Sequence, residues 1–149
     1  MSANTTPIFP LTPVAVAVSL AAVSACTTRG PIAYASLAST PCFAVQLSTT
    51  TSAGLRVDAI VVKGISTSIT AATVAQTVIV WLTDGITAYP VDEILVTAVT
   101  PSTTVASFTT TKTYTTMVIP PGSTLWVSTT VATTASTTAL GVSLYGGAY

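Results

Sequence analysis

Charge is what this sequence has least of. Only eight side chains carry it: the acids Asp58, Asp84, Asp92 and Glu93, and the bases Arg29, Arg56, Lys63 and Lys112. They make up 5% of the 149 residues and sum to zero, where an ordinary soluble protein is roughly 25% charged. Four scattered bases cannot drive counterion release from a phosphate backbone, so nucleic acid is excluded as a partner. Nor is there much to keep copies of the chain apart, because near-zero net charge promotes association. Serine and threonine are left to cover the surface, and hydroxyls satisfy water without repelling a neighbour. The composition predicts a protein that packs against copies of itself, as a homo-oligomer or within a larger assembly.

Histidine is absent altogether. Its absence removes the commonest general base and the commonest transition-metal ligand. A serine nucleophile would have to rely on an acid, on Lys63 or on Lys112, and neither lysine lies in a recognisable motif. No glycine-rich phosphate loop is present. The expectation is a protein that is not an enzyme, with no catalytic residues, no cofactor and no metal. The nearest thing to a site is the trio Asp84, Asp92 and Glu93, which a hairpin could bring to one edge of a sheet. Its spacing matches no calcium loop. Asp84 is expected to hold a turn, with Asp92 and Glu93 as solvated charges that deter edge-to-edge pairing. Trp81, Tyr89, Trp126 and Tyr145 would suit a sugar-stacking platform, but a platform of that kind usually comes with charged orienting groups. Both tryptophans are therefore expected in the core or at a subunit contact. Arg56 and Asp58, two apart on one strand face, are placed to pair.

Cysteine is scarce too. Cys26 and Cys42 are able to pair, but their spacing fits no metal or redox motif. With no export signal recognised, they are expected to be small, buried, reduced hydrophobes. Val23-Ser24-Ala25-Cys26 resembles a lipoprotein cleavage box, yet residues 1–13 lack the positive charge that a signal peptide requires. The apolar run over residues 14–25 is too short to span a bilayer, so no membrane partner is expected. Val14, Val16, Val18 and Leu20 alternate with small residues instead, which is strand periodicity. Residues 1–13 are uncharged and spaced by Pro7, Pro10 and Pro13. They are expected to form an extended arm, with Ile8, Phe9 and Leu11 contacting a neighbouring subunit.

What the chain does have is β-branched residues and turn chemistry. Short alternating runs fall near residues 43–47, 55–65, 74–83, 86–89, 93–99, 108–119, 125–130 and 140–145. Asp84-Gly85 and Pro120-Pro121-Gly122 are turn signals between them. No convincing amphipathic helix and no internal repeat is present. Seven or eight strands predict an all-β fold: a single antiparallel β-sandwich over residues 14–149, jelly-roll-like, behind the N-terminal arm of residues 1–13. An immunoglobulin-like sandwich is the second choice, lacking the usual Cys–Trp–Cys pattern.

Several local strings resemble small virion proteins of tailed bacteriophages. They are Gly54-Leu55-Arg56-Val57-Asp58, Ala75-Gln76-Thr77-Val78, Thr97-Ala98-Val99-Thr100-Pro101-Ser102 and the ending Gly146-Gly147-Ala148-Tyr149. With the length and the Thr/Ala/Val composition, these strings are most similar to capsid decoration, or cement, proteins. The resemblance implies a structural subunit on the capsid exterior of the virion, made in the host cytoplasm, that stabilises the phage head by bridging copies of the major capsid protein. The alternative it leaves is a tail or head-fibre component that binds host-surface glycans.

Overall fold

The computed structural model describes residues 12–48 and 53–149. Among the described residues nine strands lie in chain order: β1 (Thr12–Leu20), β2 (Ile32–Ala33), β3 (Val45–Gln46), β4 (Leu55–Gly64), β5 (Gln76–Thr83), β6 (Thr87–Val96), β7 (Thr109–Ile119), β8 (Thr124–Thr129) and β9 (Leu140–Ala148), with one short 3₁₀ turn at Tyr34–Ser36. They form two antiparallel sheets, one ordered β1-β9-β4-β7 and the other β2-β6-β5-β8-β3. The β5–β6 hairpin is innermost. Outward from it β4 pairs with β7, β3 with β8 and β1 with β9. One long hairpin rolled into two sheets in this way is a jelly roll, as the sequence predicts.

Between the sheets lies an aliphatic core. Leu55, Val57, Ile60 and Val62 of β4 meet Val78 and Val80 of β5, Ile94 and Val96 of β6, and Leu140, Val142 and Leu144 of β9. The alternation that identified these strands is the alternation that fills this layer. A second, smaller core lies on the far side of the five-stranded sheet. There Ile79 and Trp81 of β5 and Ala88 of β6 are covered by Cys26, Leu37, Cys42 and Ala44, with Ile32 and Trp126 packed at the margin. The covering chain, residues 21–44, is tied down by backbone bonds from the Cys26 amide to the Thr129 carbonyl (2.7 Å) and from the Tyr34 amide to the Ile86 carbonyl (2.8 Å).

Three expectations need correction. Cys26 and Cys42 are buried, but they are joined in a disulfide and are not reduced. The bond closes the covering segment into a loop lying over the sheet. The runs at 86–89 and 93–99 are a single strand, β6, that passes straight through Pro90. Proline is tolerated there because β2 pairs with β6 only at Thr87 and Ala88, leaving Pro90 with a neighbour on one side alone. A bulge opposite Val80 and Trp81 absorbs Val91 as an extra residue. Thr12 and Pro13, read from sequence as the end of the arm, already lie in β1.

Hydroxyls do more than face water. Thr133 accepts a hydrogen bond from the Val23 amide (3.2 Å) and donates to the Leu20 carbonyl (2.6 Å), closing the end of β1. Thr73 donates to the Thr97 carbonyl (3.0 Å) and accepts from the Val99 amide (3.0 Å). Such bonds satisfy strand-end backbone groups that burial would otherwise leave unpaired.

Gly146 shows how tightly the four-stranded sheet is built. It lies opposite Val57, next to the bulge that makes Asp58 an extra residue in β4, and a Cβ there would collide with the Arg56 carbonyl. Gly146→Ala should therefore lower stability by at least about 1–3 kcal/mol, the usual cost of overpacking, read from a urea melt. Alkylation of the intact protein without reductant should label no cysteine. The Cys26→Ala/Cys42→Ala variant should lose about 3 kcal/mol, as expected for a closed loop of this length, in the same assay.

Candidate functional site

The acidic trio does not converge. Asp84 is a turn residue: its carboxylate accepts from the amides of Ile86 (2.9 Å) and Thr87 (3.0 Å), beside Gly85 at φ 90°. Those two backbone donors hold its carboxyl below the usual range. Glu93 faces outward from β6 and pairs with Arg29 of the covering segment at 3.1 Å, both side chains well exposed. Asp92, its neighbour, points the other way, toward the opposite sheet. Among the described residues no group of three or more acidic or sulfur side chains is placed to hold a metal.

Asp92 is the least expected of these acids, because it is not the solvated edge charge that the sequence suggested. Its side chain is only 17% exposed. One carboxylate oxygen accepts from Lys112 Nζ at 2.7 Å and the other from Tyr114 Oη at 2.6 Å, both on β7. The Glu93 amide adds a third donor at 2.8 Å. β6 belongs to one sheet and β7 to the other, so this group laces the sandwich shut along one side. Burial pushes the Asp92 carboxyl up, but the bonds from Lys112, Tyr114 and Glu93 outweigh it and leave the carboxyl below its ordinary value. Burial, followed by the bond to Asp92, holds the Tyr114 phenol well above its own.

The remaining pair is Arg56 with Asp58, bidentate at 2.8 and 3.1 Å, as their spacing predicts. Six of the eight charged side chains are thus matched within the chain, and a seventh, Asp84, is spent on backbone amides. What remains is a surface of hydroxyls and apolar groups, with Ile86, Leu95, Ile69 and Val118 all more than half exposed.

The four aromatics do not form a platform. Trp81 is fully buried, its indole donating to Ser128 Oγ at 2.8 Å. Trp126 sits at the margin of the smaller core, edge-on to Tyr34 with ring centroids 5.8 Å apart. Tyr89 and Tyr145 are exposed on different sheets. A cleft of about 250 Å³ at one end of the sandwich is lined by small and hydroxyl residues such as Ser66, Ser68, Thr73, Ser102 and Ser107, with no charged side chain among its walls. Ile8, Phe9 and Leu11 lie outside the described residues.

Lys112 and Tyr114 escaped the sequence reading because their partner is some twenty residues away on the other sheet. Alternation alone would set Lys112 and Tyr114 on the opposite face from Met117 and Ile119; the irregularity at Thr115 and Thr116, where β7 shifts register against β4, brings all four to the inward face.

The Asp92 group makes stability depend on acid. A carboxyl whose pKa is lowered by folding stabilises the fold above its unfolded value of about 3.9, and that contribution is lost as pH falls through the folded pKa. Melting temperature should therefore drop below about pH 4. In Asp92→Asn it should be lower at neutral pH and fall less steeply in acid, Asp84 accounting for part of what slope remains.

Compared with known proteins, the chain matches no family model, no curated protein and no solved structure.

Proposed function

We propose that this protein is a non-enzymatic structural subunit of a phage virion, decorating the capsid exterior and stabilising the head by bridging copies of the major capsid protein. Jelly rolls serve capsids, lectins and cupins alike, so the fold by itself does not select among them. The observation that carries the proposal is the self-neutralised surface. With six of its eight charges matched internally, the chain presents mostly hydroxyls and exposed aliphatic groups that neither repel a neighbour nor demand a charged one.

A subunit of this kind works by contact area. A standard interface of about 1,600 Å² across a capsomer seam raises the barrier to rupture without chemistry. Linking the contact to many identical seams multiplies a modest affinity. Two features fit that duty. The sandwich is braced across its open side by Asp92, Lys112 and Tyr114, and its second core is closed by a disulfide, a bond that persists at virion surfaces once particles leave the cytoplasm.

The test is copy number in purified particles. Densitometry against the major capsid protein should give a stoichiometric ratio. A handful of copies per particle would instead support the tail or head-fibre alternative, and absence from particles would overturn both.

A further inference from the structure

A sheet edge exposes unpaired backbone N–H and C=O groups, a template for any extended chain, and proteins blunt such edges in recognisable ways. This sandwich has four edges. Two of them, β2 and β3, are only two residues long. The third, β7, carries the inward-pointing Lys112 bound to Asp92, and its register with β4 is broken by a bulge. Short strands, inward charges and bulges are all known guards.

The fourth edge has almost none of these. β1 runs nine residues and pairs with β9 through nine successive positions without a register shift. It carries no charge, and its one proline, Pro13, lies at its start. In an antiparallel ladder alternate residues turn their backbone groups away from a single neighbour, so about half of β1 has no partner strand among the described residues. Its core-facing side is unfinished as well. Val14 and Val18 pack against the main core but remain only half-buried, while Ala15 and Ala17 are exposed on the outer face.

We infer that β1 is a pairing edge and that its occupant is β1 of a second copy of this chain, antiparallel about a two-fold axis at Val16. The strand itself selects that occupant. Val14-Ala15-Val16-Ala17-Val18 reads the same in both directions. Centring the pair on Val16 sets Val14 opposite Val18 of the second copy and Ala15 opposite its Ala17. Valines then meet on the core side, alanines on the outer side, and no charge opposes another. Such an isologous contact merges two four-stranded sheets into one of eight and finishes the burial of the valines. The inference goes beyond the proposed function, whose neighbour is the major capsid protein, and does not depend on it.

The register supplies its own test. Ala15→Lys/Ala17→Lys places like charges opposite each other twice across the axis, whereas Ala15→Lys/Ala17→Glu places opposite charges there. By sedimentation at micromolar concentration the natural sequence should be a dimer. The first variant should dissociate at least about tenfold more readily, the effect of two opposed like-charge pairs. The second should recover most of the affinity. A monomeric natural protein, a first variant that still dimerises normally, or a second that stays as weak as the first would each overturn the inference. So would loss of the dimer on deleting residues 2–11, since that segment would then be the occupant. Circular dichroism checks that each variant folds. If the first does not, hydrogen exchange of the natural protein decides: amides of residues 12–20 should become protected as concentration rises, and unchanged protection overturns the pairing. Failure of the virion proposal looks different, namely a β1 dimer in solution from a protein absent from particles.

Discussion

Strand β5 is buried on both of its faces, and most of the architecture follows from satisfying both at once. Val78 and Val80 require a sheet on one side, and Ile79 and Trp81 require cover on the other. A two-layer sandwich meets only the first demand. The second is met by residues 21–44, which leave β1, cross the outside of the five-stranded sheet and return to it as β3. Pinning that excursion takes a disulfide, a buried leucine at Leu37 and backbone bonds from the Cys26 amide to the Thr129 carbonyl and from the Tyr34 amide to the Ile86 carbonyl. Beneath the cover the Trp81 indole, costly to bury without a partner, is satisfied within the sheet by Ser128.

How much of this can be read from sequence depends on how local each cause is. The long strands are legible because alternation and turn chemistry act within a few residues, and the sandwich follows from counting them. The cover over β5 is not legible, because residues 21–44 have no periodicity to betray burial against a distant surface. A hint does exist in the unbroken apolar run at residues 78–81, which is what a strand buried on both faces looks like. Pro90 misled for a related reason: its tolerance depends on where β2 stops, a fact about another part of the chain. The Asp92 group is the clearest case. Asp92 and Glu93 are identical in kind to a local reading, yet one laces two sheets together and the other holds an exposed arginine.

The abundance of threonine and serine also takes on a second meaning. Read as composition, it suggests an inert coat, and much of β7 is that. Ser48, Thr73 and Thr133 are buried, however, and each bonds backbone groups far away in sequence. A protein that spends so little on charge still needs polar connections inside, and neutral hydroxyls supply them without the desolvation penalty of buried ions.

The nested pairing also has a kinetic side. β5 and β6 are neighbours in the chain, whereas Thr12 of β1 finds its partner at Ala148. Contacts so far apart in sequence close slowly, because the loop entropy must be spent before they form. During synthesis, at about 5–20 residues per second, β1 emerges early and waits for several seconds at least before β9 exists to receive it. For that interval the valine–alanine strand is bare along both edges. Its lack of charge then leaves two strand edges, and not one, unguarded against other nascent chains until the outermost pair of the roll has closed.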